Sequence, residues 1–371
     1  MSLRLPGRLM LTTLFHIPSR IGGDAGVPLF GWGLLLAVWA LVGGGAFAWS
    51  AWRHSPAAAV RTLGLPLVLV GAVILWVLPA LDDGAGVPVR GYGVMLLLAA
   101  SCGTWLSIHR GRRMGFDADT ILSLATEVFL WGLAGARLFY VIEYHDQFFR
   151  PGLSPAETLL GVVNVAAGGL VVFGAIPTAA VATWLFARRR RLDLLRLADC
   201  IAPGLLVGLA IGRVGCFFNG CCFGGRCDLP WAVSFPPGSP PWLDQVERGL
   251  LPGVPASQPL ASAARSLPVH PVQIYAAIDA GLLAWLASAA TPVFRRDGAV
   301  FAMVLTLHPI SRILQEAIRV DEPPALGTPL SISQLISVGL LVVAAGLWAW
   351  ILRRTTRSSF DSGSPVGEDL G

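Results

Sequence analysis

Lysine is absent from all 371 residues, so the 27 basic side chains are all arginine and topology is read from arginine alone. Charge of either sign is scarce. At 13% charged residues, against about 25% in typical soluble domains, an ordinary water-soluble globule is excluded. No small-residue cleavage site follows the first apolar run, Leu9 to Ile17, which stands behind Arg4 and Arg8 and stops at Pro18. Residues 1–27 are therefore read as an interfacial lead-in and not as a removed signal peptide. No soluble segment gathers enough arginine to grip nucleic acid. The net charge of +5 and the pI near 9.1 come from short clusters beside apolar runs, where topology and anionic membrane lipids account for them.

What fills the chain instead is hydrocarbon, with 54% hydrophobic residues and a mean hydropathy of +0.67. Apolar stretches lie near residues 30–50, 62–80, 91–108, 119–142, 160–187, 199–223, 271–290, 298–318 and 330–352. Each is long enough for about 30 Å of hydrocarbon, which predicts an all-α polytopic membrane protein with about nine transmembrane helices. Arg53, then Arg110, Arg112 and Arg113, then Arg188 to Arg191 with Arg196, then Arg295 and Arg296, then Arg353, Arg354 and Arg357 fall in alternate connections and the tail. Those are the cytoplasmic ones. The other connections hold Asp82 and Asp83, Asp146 with Glu157, a long Pro-rich segment over residues 225–269, and Asp321 with Glu322. The amino terminus is thus expected outside and the carboxyl terminus inside. Residues 358–371 are polar and rich in Gly and Ser, a composition expected to be disordered.

One internal echo stands near the amino end. Gly26-Val27-Pro28-Leu29-Phe30-Gly31-Trp32-Gly33 and Gly86-Val87-Pro88-Val89-Arg90-Gly91-Tyr92-Gly93 agree at five positions, each at the outer start of a span. A shared entry motif and a duplicated hairpin explain this equally. Only the second copy has a tyrosine, which places Tyr92 near polar chemistry.

Three arginines, Arg137, Arg213 and Arg312, stand inside the apolar stretches. A guanidinium at the bilayer centre costs roughly 2.5 to 3.5 kcal/mol on the lenient insertion scale, so such groups face a protein-lined or wet cavity and commonly hold an anion. Lipid phosphate is the abundant anion there, and the planar fork of arginine fits it with two parallel hydrogen bonds. Arg137 is ten residues from Glu127, too far along one helix for direct contact. It is expected to meet Asp199, Glu316 or a phosphate from another helix. The densest motif is Gly212-Arg213-Val214-Gly215-Cys216-Phe217-Phe218-Asn219-Gly220-Cys221-Cys222-Phe223-Gly224. Its glycines permit close approach of backbone or ligand, and Arg213 and Asn219 supply donors where the helix breaks.

The run from Asp199 through Gly212-Arg213, Asn219-Gly220 and Gly224, then Leu229-Pro230-Trp231 and Phe235-Pro236, resembles the signature of the prolipoprotein diacylglyceryl transferase family. Further blocks follow the family's order: Gly135 to Tyr140, His270-Pro271-Val272-Gln273-Ile274-Tyr275, Arg312 to Arg319, and Ser333-Gln334. The resemblance covers roughly residues 86–352. It implies seven family-like spans plus two additional ones at the amino end: a hairpin over residues 28–85, then a transferase-like body over 86–357 with its external loop at 225–269. It further implies a bacterial inner-membrane enzyme with its active site toward the outer leaflet. Such an enzyme moves diacylglycerol from phosphatidylglycerol to the lipobox cysteine of a prolipoprotein signal peptide, without metal or cofactor. The family's lipid-headgroup arginines correspond to Arg213 and Arg312, with Glu316 beside them and Tyr92, Asn219, Gly220, Gly224, His270 and Arg319 around them; Arg137 joins the substrate-binding set.

Departures from the family pattern carry information of their own. Cys216 and Cys221 replace an asparagine and a glutamate, and the family's His-Gly-Gly appears here as Phe173-Gly174-Ala175. Thiolate is the nucleophile in such a transfer, and a free thiol with a pKa near 8.5 is only slightly ionised at neutral pH. Either the arginine field lowers that pKa, or another base serves. His308 is the candidate, one turn before Arg312 on the same helix face, where the family generally has tyrosine. His270 can equally cap its helix and anchor the loop. Cys216, Cys221, Cys222 and Cys227 cluster without zinc-type CxxC spacing, and a bridge of Cys222 to Cys227, or of Cys216 to a neighbour, is expected in preference to a metal. Cys102 and Cys200 are expected as small core residues. The alternative function is a non-catalytic relative that binds anionic phospholipid or a lipoprotein partner.

Overall fold

The structure, a computed structural model, describes residues 13–22, 26–150, 152–164, 168–251, 264–320 and 327–353. Most of the lead-in, the middle of the external loop, Asp321 with Glu322, and the tail lie outside the described residues. Among those described, seven helices are long and apolar enough to cross a membrane. They are α1 (Leu34–Arg53), α2 (Pro56–Ala80), α3 (Gly91–Arg113), α4 (Ala118–Glu143), α7 (Leu194–Asn219), α9 (Val272–Ala290) and α11 (Ile332–Arg353). Between them stand the short α5 (Pro155–Val163), the 18-residue α6 (Val172–Arg189), α8 (Pro240–Glu247) and the 18-residue α10 (Ala299–Glu316). Arginines end α1, α3, α6 and α11, where they meet the negative end of the helix dipole.

One expected span is not a single helix. The 160–187 stretch divides into α5 and α6, and among the described residues between them Gly168 and Gly169 adopt φ of 90° and 77°, a left-handed geometry that no right-handed helix continues.

By its contacts the chain forms two compact units. The first comprises Met1–Met95, Gly215–Cys221 and Phe235–Leu267. Here the expected interfacial lead-in is, in its described part, a strand: β1 (Thr13–Ile17) pairs antiparallel with β4 (Val87–Arg90), and β2 (Arg20–Ile21) with β3 (Val27–Pro28). Gly86 makes the first pairing possible, since a Cβ there would lie 2.2 Å from the Ile17 carbonyl oxygen. In α2 the turns before Pro66 and Pro79 widen to i→i+5 bonding at Val60–Gly64 and Val73–Val77, as expected where a proline withholds its donor. The Ile74 carbonyl accepts instead from the Gly31 amide, at 3.0 Å. The loop portion has a core of its own: Trp242 and Phe235 are fully buried, the Trp242 indole donates to the Ala264 carbonyl at 2.8 Å, and Phe217 meets Phe235 edge-on.

The second unit comprises Leu96–Val214, Cys222–Ser234 and Pro268–Gly371. Its core gathers Phe116, Ile121, Leu124, Phe186 and Leu197, with a second cluster of Leu206, Ala284, Ala287 and Val300. Glycines set how close the helices come. A Cβ on Gly103 would lie 2.7 Å from the Gly204 carbonyl oxygen, joining α3 to α7, and a Cβ on Gly174 would lie 2.2 Å from that of Gly135, joining α6 to α4. Gly135→Ala is expected to push α4 from α6, because its Cβ would stand 2.1 Å from Thr178 Oγ1. The cost of such overpacking is about 1 to 3 kcal/mol, read as a lowered melting temperature in detergent.

Polar groups of this unit are spent on architecture. The Asp199 carboxylate accepts from the Gly298 and Phe301 amides at 2.6 and 2.7 Å, capping α10. Arg110 donates to the Asp199 and Cys200 carbonyls, each at 3.2 Å, and to Thr291 Oγ1 at 2.8 Å. Glu127 pairs with Arg189. Cys200 is buried, as expected of a core residue, and Cys102 partly so. Cys227 is a buried free thiol whose sulfur accepts from the Leu229 amide at 3.4 Å, so the expected bridge to Cys222 is absent.

Candidate functional site

The amphipathic pattern of α10 brings three expected residues to one polar cluster. Arg312 and Glu316 are one turn apart, and their side chains meet at 2.7 Å, Nη1 to Oε2. Arg319, just beyond the helix, approaches the same carboxylate oxygen at 3.4 Å. The carboxylate is 4% exposed and the two arginine side chains 13% and 5%. One buried carboxylate is shared by the two guanidiniums. Arg312 also donates through Nη2 to Ser333 Oγ of α11, at 3.0 Å.

Arg213 supplies a further charge. It is partly buried near the end of α7, yet among the described residues its guanidinium has no hydrogen-bond or ion-pair partner. Desolvating a cation without a partner is costly, and Arg213 stands partly desolvated in this way. His308 lies in the field of Arg213, Arg312 and Asp279, and its Nδ1 is buried without a hydrogen bond. Asp279, on α9, accepts from Ser311 Oγ at 2.7 Å and from Gln315 Nε2 at 3.1 Å. Sequence reasoning passed over Asp279 and Ser311, and gave Gln315 and Ser333 no role beyond their place in the family blocks. Asp279 had a signal, being the single charged residue of α9.

Gly224 and His270 act through their backbone. The Gly224 amide donates to the His270 carbonyl and the His270 amide to the Gly225 carbonyl, each at 3.0 Å, while the Gly225 amide donates to the Ile318 carbonyl at 2.9 Å. This pins the chain beside Arg319. A Cβ on Gly224 would come within 2.6 Å of Val272 Cγ2 and 2.7 Å of His270 Cβ. The His270 ring sits 3.4 Å from the Tyr275 hydroxyl, which accepts from the Trp231 indole at 2.7 Å. Phe173 stands partly buried in the first turn of α6.

In the other unit Tyr92 and Asn219 line a cavity of about 400 Å³ with Thr13, Arg90 and Gly93. Gly215 makes room for the tyrosine, since a Cβ there would stand 3.2 Å from Tyr92 Cδ2. Gly220, with φ 74°, ends α7 in the left-handed turn that glycine favours, and so exposes Asn219 at the helix terminus.

Arg137 departs from expectation. It meets neither Asp199 nor Glu316. Its guanidinium, on a residue only 8% exposed, donates to the carbonyls of Gly161, Val162, Gly168 and Gly169 at 2.6 to 2.9 Å, and it stacks on Tyr140 and Phe148. A broken helix leaves carbonyls unsatisfied, and one arginine fork gathers four of them. In this arrangement Arg137 clamps the connection between α5 and α6.

Residues 80–350 match the sequence model of the family described as prolipoprotein diacylglyceryl transferase. The phosphatidylglycerol–prolipoprotein diacylglyceryl transferase of Rhodopirellula baltica is 40% identical over 259 residues, 66% of this chain and 51% of that protein, so the chain spans about half the length of that relative. The enzyme of the same name from Thermosynechococcus vestitus is 30% identical over 71% of this chain and 87% of its own. That of Clostridium tetani is 27% identical over 71% and 94%.

Proposed function

Since the chain belongs to the prolipoprotein diacylglyceryl transferase family, we propose that it moves the diacylglyceryl group of phosphatidylglycerol onto the lipobox cysteine thiol of prolipoprotein signal peptides. The cysteine sulfur attacks the glyceryl carbon, the carbon–oxygen bond to the phosphate breaks, and its electron pair leaves on glycerol phosphate. A thioether remains. The observation that carries this reading is Arg213, a partly buried guanidinium with no partner among the described residues, in the same electrostatic neighbourhood as Arg312. Charge grows on the leaving phosphate ester, and preorganised guanidinium donors tighten on it as it does. Glu316 holds Arg312 and Arg319 in place for that task. Purified protein incubated with phosphatidylglycerol and a lipobox peptide is expected to yield the diacylglyceryl thioether by mass spectrometry; recovery of unmodified peptide alone would refute the assignment.

His308 is assigned as the acceptor of the thiol proton, in place of the histidine that Phe173 replaces. Its unpartnered Nδ1 supports the role. His308→Gln is expected to slow transfer strongly at neutral pH and to recover as pH rises toward the thiol pKa of about 8.5, with pH–rate profiles of both proteins as the check. A variant as fast as wild type throughout would assign thiol activation to the arginine field.

The remaining assignments are topological. We assign nine spans, with the amino terminus outside, the carboxyl terminus in the cytoplasm and the site open to the outer leaflet of a bacterial inner membrane. The alternation of arginine-rich connections supports this orientation. Residues 86–357 form the transferase body and 28–85 an added hairpin. A second reading, a lipid-binding relative that does not catalyse, is favoured by Phe173 and Ala175 alone, and the same incubation separates the two.

A further inference from the structure

Seven consecutive residues, Cys216 to Cys222, carry three thiols whose sulfurs all lie within 4.8 Å of one another. The turn itself sets this spacing. Cys216 belongs to the last turn of α7, Gly220 ends the helix with φ 74°, and Cys222 holds φ 60°, a left-handed conformation that few non-glycine residues adopt. Neighbouring side chains in extended backbone point to opposite sides; here Cys221 and Cys222 present their sulfurs together. Strained backbone of this kind clusters at functional sites.

The donor set is uniform. Each of the three is a partly buried thiol, and among the described residues no histidine or carboxylate joins the group. Cys227, the next thiol along the chain, is not one of them: it is buried, with its sulfur on the Leu229 amide. Cys221 Sγ donates to the Cys216 carbonyl at 3.8 Å, a weak bond that a thiol gives up easily. Thiolate sulfur selects soft ions, cuprous copper and zinc among them. A structural zinc ion takes four ligands in a tetrahedron, one more than the group offers, whereas cuprous copper, with its filled d shell, is satisfied by three sulfurs in a plane. Metal–sulfur bonds of about 2.3 Å, as for zinc, put the sulfurs of such a triangle about 4 Å apart. The group is already gathered to that scale.

We propose that Cys216, Cys221 and Cys222 form a trigonal thiolate site for cuprous copper. Each sulfur gives a lone pair to the ion and its proton passes to solvent, so loading releases protons and changes no oxidation state. The site is separate from the transferase reading and does not rest on it.

The test is anaerobic titration of the reduced full-length protein in detergent with the acetonitrile complex of cuprous copper, against a chromogenic cuprous chelator. One ion per chain is expected, and X-ray absorption at the copper edge is expected to show three sulfur neighbours. Cys216→Ser, Cys221→Ser and Cys222→Ser are each expected to weaken binding more than about tenfold, the lower end of what even a change beyond the ligands costs a metal site. Cys102→Ala, in α3, leaves it unchanged. Circular dichroism and melting show which variants are folded. Cys222→Gly is a second probe, since glycine accepts φ 60° without strain: it is expected to keep the fold and lose affinity for the ion. Affinity unchanged in any folded variant of the three cysteines overturns the proposal, as do two sulfur neighbours in place of three, or zinc that competes with copper on equal terms. Protein isolated with Cys216 bridged to Cys221 or Cys222, and unable to take up copper after reduction, would overturn it in favour of a structural disulfide. Neither phosphatidylglycerol nor lipobox peptide is present, so the result stands whichever way the transfer assay falls.

Discussion

Arg213→Gln is expected to abolish transfer while leaving the protein as stable as wild type. The two halves of that expectation share one cause: among the described residues the guanidinium bonds to nothing in the protein, so removing it breaks no fold contact. It does remove a donor from the departing phosphate ester. Loss of one preorganised donor of this kind typically costs about 10² to 10³ in kcat. Arg213→Lys is expected to recover only part, since an ammonium keeps the charge but not the two-pronged geometry. Turnover with phosphatidylglycerol and a lipobox peptide, set beside melting in the same detergent, checks both halves. Near-normal turnover in the glutamine variant would remove phosphate clamping as the role of Arg213.

Arg137→Met is expected to fail in the opposite way, through the fold. Four backbone carbonyls lose their donor at once, inside a residue environment with little access to water. Hydrogen bonds to charged groups contribute about 1.5 to 3 kcal/mol each and do not add fully. A loss above about 4 kcal/mol, among the large effects known for single substitutions, is therefore expected. Arg137→Lys rescues little, because one ammonium cannot reach carbonyls on both sides of the break. Thermal unfolding and proteolysis around residues 161–169 are the measurements, and wild-type melting of the methionine variant would contradict the clamp. Two arginines that looked alike as buried cations thus part company: Arg213 has no partner among the described residues and Arg137 has four.

The difference between them marks how far residue patterns reach. Apolar runs announce helices well because burial in hydrocarbon needs only composition and length, and α1, α3, α4, α7, α9 and α11 stand close to their expected positions. The break between α5 and α6 was hidden. Gly168 and Gly169 sit in an apolar run, and nothing in the run itself declares their left-handed φ. The carbonyls that Arg137 gathers lie 24 to 32 residues along the chain, a separation outside any helical period. Asp279 was legible as the lone charge of α9 and was passed over because no family motif drew attention to it.

Composition alone determined that this chain lives in a membrane, and the four-residue spacing of Arg312 and Glu316 already placed them on one face of one helix. Those are local consequences of hydropathy and of the 3.6-residue turn. Tertiary structure decided what each buried cation does, because the worth of a charge depends on which groups surround it. It also decided that Thr13 stands opposite Arg90, a pairing across two intervening helices. Backbone hydrogen bonds between distant strands carry no mark in the side chains that flank them.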